Sequence, residues 1–390
     1  MKTVVFASYT PLNETLLRLL PLDFLSSRGI PVSYWDLSPL YGHSLPGREV
    51  ARPYARAFRS WRELGAALKE PGVAETLIVT ALPYEPKTYR AHRLLSRSPA
   101  RLGAVVSGVM PVPTGSPLRR LGENLPLLLD PGKIAHFGLK RAALAARRAG
   151  LVRAPGVVFA AGEAAREEAG PARVVPINHY DYDDWLEARD SDRPPAAGRY
   201  AVFLDQYLPH HPDFKLLGLK TLVEPSRYYA LLNAHFERLE RRHGVEMIVA
   251  AHPKADYRDN PFGGRKILRG AARPLVRFCE FALTSYSTAL SYAVLDAKPL
   301  LFFTTDDIAR RYRRIRLDLL PACVAKTLGR TCAVLDRPRE EDELAPSADP
   351  RLYDAYKRRY LVSPETEGRL SRDAYLDFFS RELATRGAAG

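Results

Sequence analysis

Short β-branched, uncharged runs alternate along the chain with longer stretches in which apolar side chains recur every three or four positions. This alternation predicts βαβ units and parallel sheets. In the first half, strands are expected at Thr3–Ala7, Pro31–Leu37, Thr76–Thr80, Gly103–Val106, Val157–Ala160 and Arg173–Pro176, with helical stretches near 12–28, 57–69, 86–98 and 138–149. A second series begins after residue 198, with strands at Tyr200–Leu204, Glu246–Ala251, Lys266–Leu268, Phe281–Thr284, Pro299–Phe303 and Thr331–Leu335. Helices are expected at 225–243, 286–297, 351–361 and 366–386. The first of these has Pro225 in its opening turn and Gly244 at its C-terminal cap. Between the series lies Asp190-Ser-Asp-Arg-Pro-Pro-Ala-Ala-Gly198, which can continue neither a helix nor a central strand. The pattern therefore predicts an α/β chain of two Rossmann-like domains, 1–188 and 199–390, joined by a linker at 189–198. In such folds ligands bind outside the carboxyl ends of the strands, here in a cleft between the domains.

Composition supports this organisation and adds a sign. The 390 residues are 46% hydrophobic and 26% charged, enough to build two cores and to exclude wholesale disorder. Lys and Arg number 58 against 44 Asp and Glu, a formal net charge of +14. That excess suits nucleic acid, anionic lipid or a phosphorylated substrate. Much of it is arginine on apparent helix faces: Arg52, Arg56, Arg59 and Arg62; Arg90, Arg93, Arg97 and Arg101; Arg310, Arg311, Arg313, Arg314 and Arg316. Solvated faces are the simpler reading of each group. Cys279, Cys323 and Cys332 form no CxxC pair, which argues against a disulfide framework or a zinc-thiolate site and for a reducing cytoplasm. The opening MKTVVFASYT is too short an apolar run for a signal peptide. The stretch 102–118 is broken by prolines and glycines, so no membrane span is expected.

Candidate chemistry concentrates in the second half. The strand Glu246–Ala251 delivers His252-Pro253-Lys254 at its carboxyl end, where an imidazole can donate to a phosphate oxygen and a lysine adds charge. Ser285, Ser287 and Thr288 follow Phe281–Thr284 at what reads as a helix start, an arrangement suited to anions. Asp205 ends the first strand of the second series and is followed by His210 and His211. It is a candidate nucleophile or base, with the histidines orienting substrate. Gly263 and Gly264 allow close backbone approach to a nucleotide, although a plain turn explains them as well. GxxxxGK[ST] is absent, as is GxGxxG after the first strand. Asp181-Tyr182-Asp183 has the spacing of a metal-binding DxD, but helix capping is the better reading, and the histidines show no zinc spacing. No metal or other cofactor is expected.

Three segments together carry a resemblance: LDQYLPHHPDF at 204–214, AHPKADYRDNPFGGRKI at 251–267 and TSYSTALSYAVLDAKPLLFF at 284–303. They resemble bacterial surface-carbohydrate glycosyltransferases of the GT-B type, particularly those using CMP-activated Kdo or sialic-acid-like nonulosonic acids. The resemblance implies that Asp205 acts as nucleophile or base, that His252 contacts the CMP phosphate, and that Ser287 and Thr288 bind the nucleotide. Lys254, Gly263, Gly264 and Ser285 would line the same site. It further implies a CMP-sugar donor, a glycan or lipid-linked glycan acceptor, no nucleic-acid partner, and peripheral contact with the anionic cytoplasmic face of the inner membrane. Sialyltransferases of this type usually carry an acidic pair followed by Gly in the N-terminal domain, whereas the acid here is a single Asp in LDQY. The CDP-dependent polyol-phosphate transferases of teichoic acid synthesis share the HP and Ser/Thr segments. A non-catalytic protein that binds anionic polymer is the alternative from outside the enzymes.

Overall fold

The strands Thr76–Thr80, Val157–Ala161 and Tyr200–Leu204 are buried at all five positions. A strand buried on both faces has to lie inside a sheet covered by helices on either side, which is the parallel arrangement. The computed structural model, which describes residues 1–42, 49–111, 131–211, 222–313, 317–343 and 347–387, contains two such sheets. The expected Pro212-Asp213-Phe214 and Arg314 and Arg316 fall outside the described residues.

The first sheet comprises β1 (Thr3–Ser8), β2 (Val32–Asp36), β3 (Ala55–Ala57), β4 (Thr76–Thr80), β5 (Arg101–Val106), β6 (Val157–Ala161) and β7 (Arg173–Ile177), in the order β3-β2-β1-β4-β5-β6-β7. All pairings are parallel, with Val4 opposite both Val32 and Leu77. The second comprises β8 (Tyr200–Leu204), β9 (Glu246–Ala251), β10 (Ile267–Arg269), β11 (Ala282–Thr284), β12 (Leu300–Thr304) and β13 (Cys332–Val334), in the order β10-β9-β8-β11-β12-β13. Each sheet runs outward from its first strand in one direction and then reverses. The reversal falls between β1 and β4 in one sheet and between β8 and β11 in the other, the point at which doubly wound sheets present ligand sites.

Every strand expected from the sequence is present, and β3 is added. It is an exposed three-residue edge whose Arg56 pairs with Glu70 and lies over Phe58, so Arg52, Arg56, Arg59 and Arg62 do not share a helix face. The helix expected from residue 57 runs Trp61–Ala67, where Ser60 accepts the Glu63 amide at 3.2 Å. The helix expected over 12–28 is two, Glu14–Leu19 and Leu22–Ser27. Leu20 precedes Pro21 and takes the extended conformation that proline imposes on its neighbour. The helix Pro225–His243 is as expected, with the Glu224 carboxylate accepting two amides at its start and Gly244 at φ 60° at its end.

The domain division differs from the expectation. The chain falls into two compact units; of the described residues, the first takes the chain through 107, 131–183 and 362–387, and the second takes 108–111 and 184–361. The expected linker at 189–198 is irregular but belongs to the second unit, where Asp192 accepts from Arg273 at 3.0 Å. The terminal helix Ser371–Gly387 belongs to the first unit because its aromatic face completes that core. Tyr375 stacks on Phe159 at 4.5 Å, and Phe379 meets the edge of Phe6. Glu382 then ties the ends of β5 and β7 through Arg101 at 2.6 Å and Arg173 at 2.9 Å.

Among the described residues three histidines are buried: His92 and His179 in the first unit and His235 in the second. Burial pushes each pKa down to about 4, so all three are neutral at pH 7. His179 and His235 use Nδ1 as an acceptor, from the Asp181 amide and from Arg238. Because these pKa values rise to the ordinary value near 6.5 on unfolding, the unfolded chain takes up protons first. Their contribution is complete above pH 6.5 and declines as pH falls toward 4, by roughly 3 kcal/mol per site. Thermal midpoints of wild type should therefore fall between pH 7 and pH 5, and those of a His179→Gln/His235→Gln variant should fall less. An identical fall in both proteins would contradict the assignment.

Candidate functional site

The carboxyl ends of three adjacent strands, β9, β8 and β11, carry most of the residues singled out in the sequence. Asp205 is the residue after β8 and is only 4% exposed. Its Oδ1 accepts the Tyr207 amide at 2.8 Å; its Oδ2 accepts the His252 amide at 3.2 Å and the Tyr257 hydroxyl at 2.8 Å. One carboxylate thus fixes the turn after β8 and the loop after β9 relative to each other. Burial pushes its pKa up, and the hydrogen bonds from Tyr207, Tyr257 and His252 oppose that shift. Tyr207 sits at φ 53°, a left-handed conformation uncommon for a non-glycine residue, and donates its hydroxyl to the Asp256 carbonyl.

Both oxygens of this largely buried carboxylate are engaged by donors, so Asp205 fixes the local geometry of the two loops.

His252 is partly exposed. Its Nδ1 accepts the Lys254 amide at 3.1 Å, so Nε2 is the nitrogen that carries the proton in the neutral ring. His179 makes the same short loop to the amide two residues on, but it is buried at 2% exposure and serves its own unit's interior. Exposure, rather than local hydrogen bonding, distinguishes the two. The rings of His211 and His252 lie 4.8 Å apart, and His210 packs beside Tyr207 at 5.3 Å. The structure therefore brings Asp205, His210, His211, His252 and Lys254 to one end of the sheet.

The segment after β11 differs from its expected form. The helix begins at Leu290 and ends at Leu295, not 286–297. The Ser287 amide donates to Thr284 Oγ1 at 3.1 Å and the Ala289 amide to Ser287 Oγ at 3.3 Å, while the amides of Leu290, Ser291 and Tyr292 donate to carbonyls of residues 287–289. These five amides are already used and do not contribute to the expected cradle of open helix-start amides. Ser285 is fully buried and does not line a surface. Thr288 is exposed and Ser287 partly so, and their hydroxyls remain at the switch-point end of the sheet. Gln206, which sequence reasoning missed, joins this segment to Asp205's turn by accepting the Tyr286 amide at 3.1 Å.

Gly263 and Gly264 are placed elsewhere. They occupy an exposed turn with φ of 62° and 82°, closed by Asn260 accepting the Phe262 amide and donating to the Arg265 carbonyl. A Cβ at Gly263 would come within 3.0 Å of Arg265 Nη1, and Arg265 is held by Glu240 at 2.6 Å. The turn delivers Phe262 to the core, as the plain-turn reading requires. Asp181 and Asp183 lie within the helix Tyr180–Ala188, not at its cap; the Asp183 carboxylate accepts from Asn178 and from the Ser371 amide. Among the described residues no group of three or more His, Cys, Asp or Glu side chains is placed to hold a metal ion.

No protein-family model matches the chain, and no curated protein matches it. Among solved structures it is similar to the glycosyltransferase SnogD from Streptomyces nogalater, at 15% identity over 97% of this chain and 99% of that one, with a TM-score of 0.48. It is similar to the glycotransferase of kitacinnamycin at 14% identity, covering 98% and 99%, TM-score 0.49. It is similar to the H444N variant of the wall teichoic acid polymerase TagF at 12% identity, covering 99% and 90%, TM-score 0.46.

The positional role of Asp205 has a measurable consequence. Asp205→Ala leaves the Tyr207 and His252 amides and the Tyr257 hydroxyl without their acceptor, and each buried donor so stranded costs about 1–3 kcal/mol. The variant should unfold at clearly lower denaturant than wild type. Unchanged stability would show that the carboxylate does not hold the two loops together.

Proposed function

We propose that the chain is a GT-B-type glycosyltransferase that moves an ulosonic or nonulosonic acid, Kdo-like or sialic-acid-like, from a CMP donor to a bacterial surface glycan. The observation that carries this reading is the His252 imidazole. Its Nδ1 is committed to the Lys254 amide, its Nε2 is the proton-bearing nitrogen, and it stands at the carboxyl end of the strand beside the switch point. A neutral donor fixed in this way suits a phosphate that gains charge as CMP departs, because the dipole is oriented before the reaction begins. Lys254 adds a cation next to it, and Ser287 and Thr288 supply hydroxyls from the neighbouring strand end. In this reading Asp205 is a positioning residue: it holds the His252 amide and thereby the start of the loop. His210 and His211 orient substrate beside His252. No step in this reading uses a metal.

The acceptor is taken to be a glycan or a lipid-linked glycan, and the anionic cytoplasmic face of the inner membrane the surface at which it is met. Support comes from the helix Pro131–Arg148. Phe137 is 58% exposed and Leu144 42%, and the face they share with Lys140, Arg141 and Arg148 carries no ion pair among the described residues. Apolar side chains surrounded by unneutralised cations match an anionic bilayer surface. Other arginine groups differ: Arg52 pairs with Asp23, and Arg310 and Arg311 both pair with Asp307. No described helix is long and apolar enough to cross a membrane.

Thermal shift of the purified chain against CMP, CDP, UMP, GMP and ADP tests the donor. CMP should stabilise most, without added divalent ion, and His252→Ala should weaken that effect at least about tenfold, the loss expected for a charge-assisted hydrogen bond to phosphate. Preference for CDP would redirect the reading to polyol-phosphate transfer. Indifference to every nucleotide would favour a non-catalytic binder of anionic polymer. Vesicle sedimentation tests the membrane: binding should need anionic lipid, weaken with salt and fall in Phe137→Ser/Leu144→Ser. Salt-insensitive binding, or stronger binding to RNA than to vesicles, would count against it.

A further inference from the structure

Arg147 is a half-buried cation with no counter-charge among the described residues. Its Nε is buried and has no hydrogen-bond partner among them. Burial pushes its pKa down, and among the described residues the group that opposes this shift is the Tyr84 phenol, not a carboxylate. Two partly buried arginines of the second unit are neutralised: Arg265 by Glu240 at 2.6 Å, and Arg273 by Asp184 and Asp192, each at 3.0 Å. A buried charge left unpaired is costly, so an uncompensated guanidinium is a position where an anion would be stabilised.

What the chain supplies at Arg147 is an aromatic face. The guanidinium carbon lies 3.4 Å from the centroid of the Tyr84 ring. Tyr84 is itself held, donating its hydroxyl to the Ala143 carbonyl at 2.6 Å and meeting the edge of His92 at 5.1 Å. His92 is no counter-ion: its Nε2 lies 3.3 Å from the Pro83 carbonyl, and the ring is neutral. Stacking occupies the flat face of a guanidinium and leaves its in-plane N–H groups, whose fork matches two oxygens of a carboxylate or phosphate.

The location is that of a ligand site. Tyr84 and His92 follow β4, which borders the reversal of strand order in the first sheet, and ligands of doubly wound sheets bind at that end. Ser107, the residue after the adjoining β5, has a buried hydroxyl with no hydrogen-bond partner. An orphan hydroxyl and an orphan guanidinium Nε thus lie on segments leading from or packed near the same end of neighbouring strands.

We propose that Arg147, stacked on Tyr84, binds an oxyanion, a carboxylate or phosphate carried by a substrate of the first unit. The proposal is independent of the donor site assigned to the second unit.

The test reads His92, which shares the Tyr84 ring with Arg147. The full chain, labelled with ¹⁵N-histidine and with the His92 signal assigned through His92→Asn, is titrated with inorganic phosphate and separately with acetate. The His92 ring signal should shift saturably with at least one of them, and the tighter probe identifies the oxyanion as phosphate or carboxylate. Arg147→Met should weaken the response at least about tenfold, and Arg147→Lys, which keeps the charge but loses the fork, should fall between. A His92 signal that neither anion moves, or one that responds equally in wild type and both variants, would overturn the proposal. Because Arg147→Lys preserves the charge, its weakened response carries the test even where Arg147→Met fails to fold. CMP binding read at His252 reports separately on the second unit.

Discussion

The organisation of the second unit's candidate site depends on one buried carboxylate. Asp205 lies where β8 ends, and its two oxygens take up a tyrosine hydroxyl and two backbone amides from two different loops. Removing a carboxylate from water is costly, and that cost is offset only while the donors stay in place. The loops are therefore fixed together or not at all. His252 inherits its position from this constraint, since its amide is one of the donors, and the Lys254 amide then sets which ring nitrogen bears the proton. Gln206, the next residue, extends the same node across to β11.

The parallel sheets explain why such a node forms here. Parallel strands need long crossovers, so successive strand ends deliver successive loops to one edge of the sheet. Where the order reverses, between β8 and β11, the loops part instead of packing in sequence. Polar residues placed there have to satisfy one another. Asp205, Gln206, Thr284 and Ser287 do so in the second sheet, and their mutual bonds account for amides that would otherwise be open. Ser285, the residue after β11, and Ser107, the residue after β5, each keep a buried hydroxyl without a partner among the described residues, and on the first unit's side the Arg147 Nε is a further such group.

Much of this was legible in the sequence because strands buried on both faces announce themselves. Thr76–Thr80, Tyr200–Leu204 and Glu246–Ala251 have the bounds expected of them. The three-residue β3 was not legible: Ala55-Arg56-Ala57 has no apolar run, and pairing with β2 alone makes it a strand. The terminal helix was assigned to the second half by its place in the chain, and only Tyr375, Phe378 and Phe379 packing on the first core reveals where it belongs. At the site, strand-end placement correctly brought Asp205 and His252 to one edge. It could not show that Asp205 is buried and holds two loops, because burial is a property of neighbours. Tyr257 and Gln206 went unnoticed although both stand in the motifs themselves. Tyrosine and glutamine have no distinctive spacing, and their roles appear only when the loops are folded together. Ser287 and Thr288 read as a helix start, but the chain spends that stretch in turns.

The central claim is that Asp205 and the Lys254 amide together hold His252 as a neutral donor through Nε2. The most direct measurement is a long-range ¹H–¹⁵N correlation of the His252 ring at neutral pH, without nucleotide and with CMP. The account predicts an Nε2–H tautomer with Nδ1 as acceptor in the free chain, and a shift at Nε2 when CMP is added. A ring protonated on Nδ1, or an Nε2 signal that CMP leaves in place, would contradict it.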